Sequence, residues 1–162
     1  MFKNHTTTNH LLNDYLEGIK GYRGVIAKDQ LIPPYKYKDS RYFIIINLDD
    51  FVDPETTRGG THWTVLFRKD RSMPWEYFDS FGFEPPEEII RFCKQNRNDG
   101  PDILLYNTSQ IQDNKSTACG YFCLKYIFDR LKGMSQYDAL YQYDLKDLKK
   151  NEKIIQQFIN GL

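Results

Sequence analysis

From Ala118 to Leu131 the chain reads Ala-Cys-Gly-Tyr-Phe-Cys-Leu-Lys-Tyr-Ile-Phe-Asp-Arg-Leu, and a helix through this stretch has almost no polar face. A helix that is apolar nearly all round must be covered on every side, so this segment is expected to be a buried central helix. At 162 residues the chain can enclose such a helix in one core, and it is read as a single domain, 1–162. Its 12 tyrosines and 11 phenylalanines supply large packing surfaces for that core.

The remaining segments supply the cover. Residues 8–19 place Leu12, Tyr15, Leu16 and Ile19 on one helical stripe, with Thr8 or Asn9 as N-cap. Pro33-Pro34 breaks the chain before Arg41–Asn47, whose β-branched run reads as a buried strand. Trp63–Arg68 and Trp75–Asp79 read as two further strands joined by a polar turn. Pro85-Pro86-Glu87-Glu88 opens a helix that offers Ile89, Ile90 and Phe92 for packing. Ile103–Tyr106 is a short strand, and Leu145–Ile159 a helix with Leu148, Ile155 and Phe158 on one stripe. The lysines at 146, 149, 150 and 153 are interrupted by Asp147 and Glu152, so they read as a solvated face rather than a basic binding surface. This order gives an α+β fold: a small, mostly antiparallel sheet flanked by helices, with the buried helix at its centre.

Charge and cysteine content narrow the function. With 22 basic and 22 acidic residues the formal net charge is zero, so nothing global draws the chain to nucleic acid or an anionic membrane. The apolar run beginning at Phe43 is far too short to span a bilayer, and residues 1–8 lack the apolar stretch of a secretory signal. Three cysteines, an odd number, then point to reduced thiols, and the Asn107-Thr-Ser and Asn114-Lys-Ser sequons to chance matches.

The chemistry gathers around Cys119. It follows Ser116-Thr117-Ala118, with Ser116 as the expected N-cap, so the thiol falls in a first helical turn where free N–H groups and the macrodipole favour thiolate. Gly120 removes bulk beside it. Cys123, one turn on, and Cys93 read as small hydrophobes. His62 opens one strand and Asp79 closes the next. A symmetric turn makes them direct cross-strand neighbours, and the carboxylate then accepts the Nδ1 proton of the ring; a one-residue bulge would separate their faces. Gly59-Gly60 permits close approach of another chain just before His62. Trp63, by default, is core. Gln112, seven residues before Cys119, can aim its amide at the same point as the Cys119 N–H only if its loop folds back, which forms an oxyanion hole. Taken singly, each of these residues has an ordinary structural reading. His5 and His10 have no chemistry-bearing neighbours. A zinc set of Cys119, Cys123, His62 and Asp79 is disfavoured, because structural zinc sites favour Cys-x-x-Cys turns. No metal is expected.

At Gly59-Gly60-Thr61-His62-Trp63, Asp79-Ser80-Phe81-Gly82-Phe83 and Gln112 through Cys123, the chain resembles the adenovirus-type cysteine endopeptidases (adenain), whose catalytic fold is shared with ubiquitin-like-protein proteases. The order His, acid, Gln, Cys and the intervals of 17 and seven residues match that family. The resemblance implies Cys119 as nucleophile, His62 as general base and acid, Asp79 as its orienter, and Gln112 with the Cys119 N–H as the oxyanion hole. It also implies that Gly60, Trp63 and Gly120 border a narrow substrate groove admitting glycine-rich sequence. Two features depart from the adenovirus enzyme. The acid is Asp79 rather than glutamate, and Asn98–Asp102 lacks the cysteine to which an activating peptide is disulfide-linked there.

The expected function is that of a viral maturation protease cleaving capsid or other structural precursors at glycine-containing sites. It would work in the virion and in the cytoplasm or nucleus of the infected cell. No cofactor is expected, nucleic acid is not required, and any peptide activator is unidentified. Removal of ubiquitin-like modifiers from host proteins is the alternative. Acyl transfer by the same residues, or a binding module with an inactive site, are further readings.

Overall fold

Alternating side chains in three strands set up two cores, one on each face of a sheet. The computed structural model describes residues 5–31, 41–49 and 62–162. Its elements are α1 (Asn9–Leu16), β1 (Tyr22–Ala27), β2 (Tyr42–Asn47), β3 (Trp63–Arg68), β4 (Trp75–Phe78), α2 (Glu87–Gln95), β5 (Leu104–Tyr106), α3 (Cys119–Leu131), α4 (Gln136–Tyr141) and α5 (Leu148–Asn160), with a 3-10 turn at Lys28–Gln30. The strands form one five-stranded sheet in sequence order. The pairs β2–β3 and β3–β4 are antiparallel, whereas β1–β2 and β4–β5 are parallel. The antiparallel expectation thus holds for the three central strands, and the sheet as a whole is mixed. Parallel neighbours need a crossover, and α2 supplies it between β4 and β5.

The central strands are covered on both faces. Phe43, Ile45, Trp63, Val65, Phe67 and Phe78 pack with Phe122, Cys123, Tyr126 and Ile127 of α3. Tyr42, Ile44, Ile46, Leu66, Trp75 and Tyr77 pack instead with Ile89, Phe92 and Cys93 of α2. The period of two in each strand therefore assigns alternate residues to opposite cores. Leu12 and Leu16 of α1 and Ile155 of α5 close over α3, which is buried as its composition requires. Among the described residues no helix is long and apolar enough to cross a membrane.

Several boundaries differ from the sequence reading, each for a local reason. Helix α1 is capped by Thr8, whose side chain accepts the Leu11 N–H, and it ends before Gly18, where φ is +84°. Strand β1 escapes the sequence pattern because Gly24, at φ +102°, interrupts its alternation where the ladder shifts register between Tyr22 and Val25. Helix α4 is only six residues long, too short for a periodic signal. The N-cap of α3 is Ala118, not Ser116. Ser116 acts one step earlier, its hydroxyl accepting the Ala118 N–H at 3.2 Å.

One polar lock crosses the α3 core. Glu76 of β4 is 3% exposed, and Arg130 of α3 grips it through Nε to Oε1 at 2.8 Å and NH2 to Oε2 at 2.7 Å. The Tyr126 hydroxyl donates to Oε1 at 2.6 Å. Burial lowers the Arg130 pKa, but the bonds and charge of Glu76 more than reverse this and raise it. Removing one member of such a pair strands a buried charge. Arg130→Met is therefore expected to cost about 3 kcal/mol in urea unfolding, and Glu76→Met/Arg130→Met to recover most of that loss. Equal loss in single and double variants would contradict the lock.

Candidate active site

His62 and Asp79 lie just beyond the ends of β3 and β4. The ladder pairs Val65 with Phe78 and Phe67 with Glu76, so one further step sets Asp79 opposite Thr64. His62 is therefore the diagonal neighbour of Asp79, two residues from the direct pairing that a symmetric turn predicts. A shift of two preserves the face, and the side chains still meet. The contact is made by Nε2, 2.7 Å from Asp79 Oδ1, rather than by Nδ1 as expected. The Asp79 side chain is fully buried and that of His62 is 13% exposed. Asp79 Oδ1 also accepts the Phe81 N–H at 2.8 Å, and the Phe81 ring lies 4.8 Å from the imidazole. Burial lowers the His62 pKa, but the hydrogen bond and charge of Asp79, with Cys119 beside the ring, outweigh it and push the ring from 6.5 to about 9. Nδ1 is buried and makes no hydrogen bond among the described residues. With Nε2 on Asp79, it is the nitrogen left to face Cys119.

Cys119 is the first residue of α3 and is partly exposed, whereas Cys93 and Cys123 are buried. The leading N–H groups of a helix have no intrahelical partner, so they are available to a negative charge beside the thiol. Burial pushes the Cys93 thiol up to about 12 and raises that of Cys123 well above its ordinary value. Cys123 donates to Trp63 O at 3.2 Å, which is a packing role.

Gln112 is 1% exposed and its loop does fold back. The Ile111 and Gln112 N–H groups both reach Ser80 O, at 2.9 and 3.0 Å. The Gln112 side chain accepts from Ser80 Oγ at 2.5 Å and donates from Nε2 to Ser116 O at 3.1 Å. It thus bridges the residue after Asp79 to the turn before Cys119, and its second amide hydrogen is uncommitted among the described residues.

The three groove residues fare differently. Gly60 lies outside the described residues. Trp63 is 1% exposed and belongs to the α3 core, so its side chain lines no open groove. Gly120 is buried, and a Cβ there would stand 2.0 Å from Thr7 Oγ1 and 2.8 Å from Thr7 Cβ. The room its missing side chain leaves is filled by the N-terminal segment, which is pinned further by the His5 N–H on Thr117 Oγ1 at 2.9 Å.

No protein-family model matches the sequence. Over 110 residues the chain is 27% identical to the protease of porcine adenovirus A serotype 3, a match that takes in 61% of this chain and 52% of that one. Over 87 residues it is 32% identical to the SUMO-1 cysteine protease S273R of African swine fever virus, covering 49% of this chain and 32% of the relative. The chain is similar to viral proteases. It spans about half or less of the length of these curated relatives. Among solved structures, the African swine fever virus pS273R protease superimposes with a TM-score of 0.60 at 19% identity, over 91% of this chain and 63% of that one. This is the α+β fold shared with ubiquitin-like-protein proteases.

Among the described residues, no grouping of three or more His, Cys, Asp or Glu is arranged to hold a metal ion. One residue of the site had no sequence signal. Asn107, in the sequon read as a chance match, is 8% exposed and hydrogen-bonds the Asp79 backbone twice.

Two outcomes are expected. Because the folded-state pKa of His62 is raised, the pair's contribution to stability is full below about pH 6.5 and is lost as pH rises through about 9. The stability advantage of the native chain over Asp79→Asn in urea unfolding should therefore shrink across that window; a constant difference would contradict it. Gly120→Ala should cost about 1–3 kcal/mol by the clash with Thr7, and Thr7→Gly should restore most of it in the double variant. A tolerated Gly120→Ala would show that the contact is not tight.

Proposed function

We propose that the chain is the catalytic domain of a viral cysteine endopeptidase. The observation that carries the reading is the buried His62–Asp79 pair acting on the thiol that begins α3, with a folded-back amide at Gln112 beside it. Similarity to proteases of two viruses supports it independently.

In this reading the Cys119 sulfur attacks the scissile carbonyl carbon while His62 holds the thiol proton. The oxygen of the tetrahedral intermediate is received by the Cys119 N–H and the uncommitted Gln112 amide hydrogen. His62 then gives its proton to the leaving amine, and the C–N bond breaks to leave a thioester on Cys119. Water attacks the thioester, His62 takes the water proton, and the sulfur departs with release of the carboxylate product. Asp79 keeps the ring oriented and stabilises the imidazolium.

The substrates proposed are capsid or other structural precursor proteins of a virus, cut at glycine-containing sites within the virion or in the cytoplasm or nucleus of the infected cell. The similarity to adenovirus protease supports this choice. The glycine preference draws no support from Trp63 or Gly120, whose surroundings are core and Thr7. A second reading, removal of a ubiquitin-like modifier, is favoured by the name of the African swine fever virus relative, of which this chain matches about a third.

Incubation with glycine-containing precursor peptides and with a modifier fusion separates the two substrates by mass spectrometry. Cys119→Ala is expected to abolish cleavage of whichever is cut. Iodoacetamide is expected to label Cys119 rapidly below neutral pH and much more slowly in His62→Ala. Cleavage that survives Cys119→Ala, or labelling indifferent to His62, would overturn the assignment.

A further inference from the structure

The ladder between β4 and β5 pairs Trp75 with Leu104, Glu76 with Leu105 and Tyr77 with Tyr106. Beyond it both strands end, and Asp79 has left regular sheet. Its peptide groups are held instead by the side chain of Asn107, the residue after β5. The Asp79 N–H donates to Asn107 Oδ1 at 3.0 Å, and Asn107 Nδ2 donates to the Asp79 carbonyl at 2.6 Å. One amide therefore imitates a neighbouring strand at a single residue. Asn107 Nδ2 also reaches Ser109 O at 3.5 Å, which ties the clamp to the loop leading to Gln112.

The clamp bears on chemistry because Asp79 has little else to aim it. Oδ1 carries both the His62 and Phe81 contacts, while Oδ2 is buried without a hydrogen-bond partner among the described residues. A hold on both peptide groups of Asp79 fixes the point and direction from which its Cα–Cβ bond leaves the chain, and so where Oδ1 can reach. We propose that Asn107 is a positioning residue for the acid–imidazole pair: its two-point hold on the Asp79 backbone sets the direction of the carboxylate toward His62. The mechanistic consequence rests on the protease reading above, but the geometric claim does not.

The same chain contains a matched control. Asn151 of α5 clamps Asp144 in the same manner, accepting the Asp144 N–H at 2.8 Å and donating to the Asp144 carbonyl at 2.7 Å. Asn151 is fully buried and also donates to Ile111 O at 2.9 Å, but among the described residues it makes no hydrogen bond to Asp79 or His62. Loss of either asparagine leaves the clamped peptide groups, buried at Asp79 and half-buried at Asp144, without their partner and lowers stability. Only loss of Asn107 should disturb the imidazole.

The test is the titration of the His62 ring followed by NMR in a Cys119→Ala background, so that Asp79 is the titratable group left acting on the ring. Asn107→Ala is expected to lower the midpoint by about one unit or more, whereas Asn151→Ala leaves it in place. If Asn107→Ala is too unstable to titrate, Asn107→Ser, which keeps a small polar group, is judged by the same criterion. An unchanged midpoint in the Asn107 variant, or an equal fall with Asn151→Ala, overturns the proposal. With Cys119 present, Asn107→Ala should reduce kcat roughly 10- to 100-fold with KM nearly unchanged. Absence of peptide cleavage in the unsubstituted chain would remove the protease reading and leave the NMR result to decide the role of Asn107.

Discussion

The bidentate grip of Arg130 on Glu76 joins the two elements from which the acid and the thiol extend. Glu76 stands three residues before Asp79 on β4, and Arg130 stands eleven residues after Cys119 on α3. Tying these two buried groups together fixes the strand that ends in the acid against the helix that begins with the sulfur. Stacking of Phe78 on Tyr126, at 4.6 Å and 8° between planes, adds an apolar contact across the same junction. A hydrophobic contact alone permits sliding; a planar guanidinium on a buried carboxylate does not.

At the far ends of those elements the backbone ladders stop, and side-chain amides take over. Asn107 holds Asp79, Gln112 spans Ser80 and Ser116, and Asn151 holds Asp144 while donating to Ile111 O at 2.9 Å. Each satisfies buried peptide or hydroxyl groups that no strand or helix reaches. Asn107 supports the acid directly, Gln112 ties the loop after it to the turn before Cys119, and Asn151 anchors α5 to the backbone of that loop. This arrangement lets irregular segments meet at a defined point without the mobility of an ordinary surface loop.

Much of the architecture was legible because burial demands leave strong patterns. The all-round apolar stretch after Ala118 announced α3, and the β-branched run after Arg41 announced β2. The edge strand β1 was not, since only Ala27 is fully covered there and Gly24 breaks its period. The convergence of His62 and Asp79 was read from a symmetric turn, yet the actual register is two residues away, and parity alone preserved the contact. Which ring nitrogen meets the acid depends on where the sulfur lies, and strand spacing carries no such information. Trp63 shows the limit of inference by likeness: its strand position argued for core, resemblance argued for a groove, and its burial agrees with the first. Asn107 was invisible because an asparagine in a polar loop has no sequence mark that separates a clamp from a solvated side chain.

The central claim is spatial: the sulfur of Cys119 and the imidazole of His62 face one another. Treatment with 1,3-dibromoacetone, which bridges a thiol to an adjacent ring nitrogen, followed by digestion and mass spectrometry, tests this without any substrate. The account predicts a cross-linked pair of peptides carrying Cys119 and His62. Cys119 alkylated at one end only, with His62 unmodified, would contradict it.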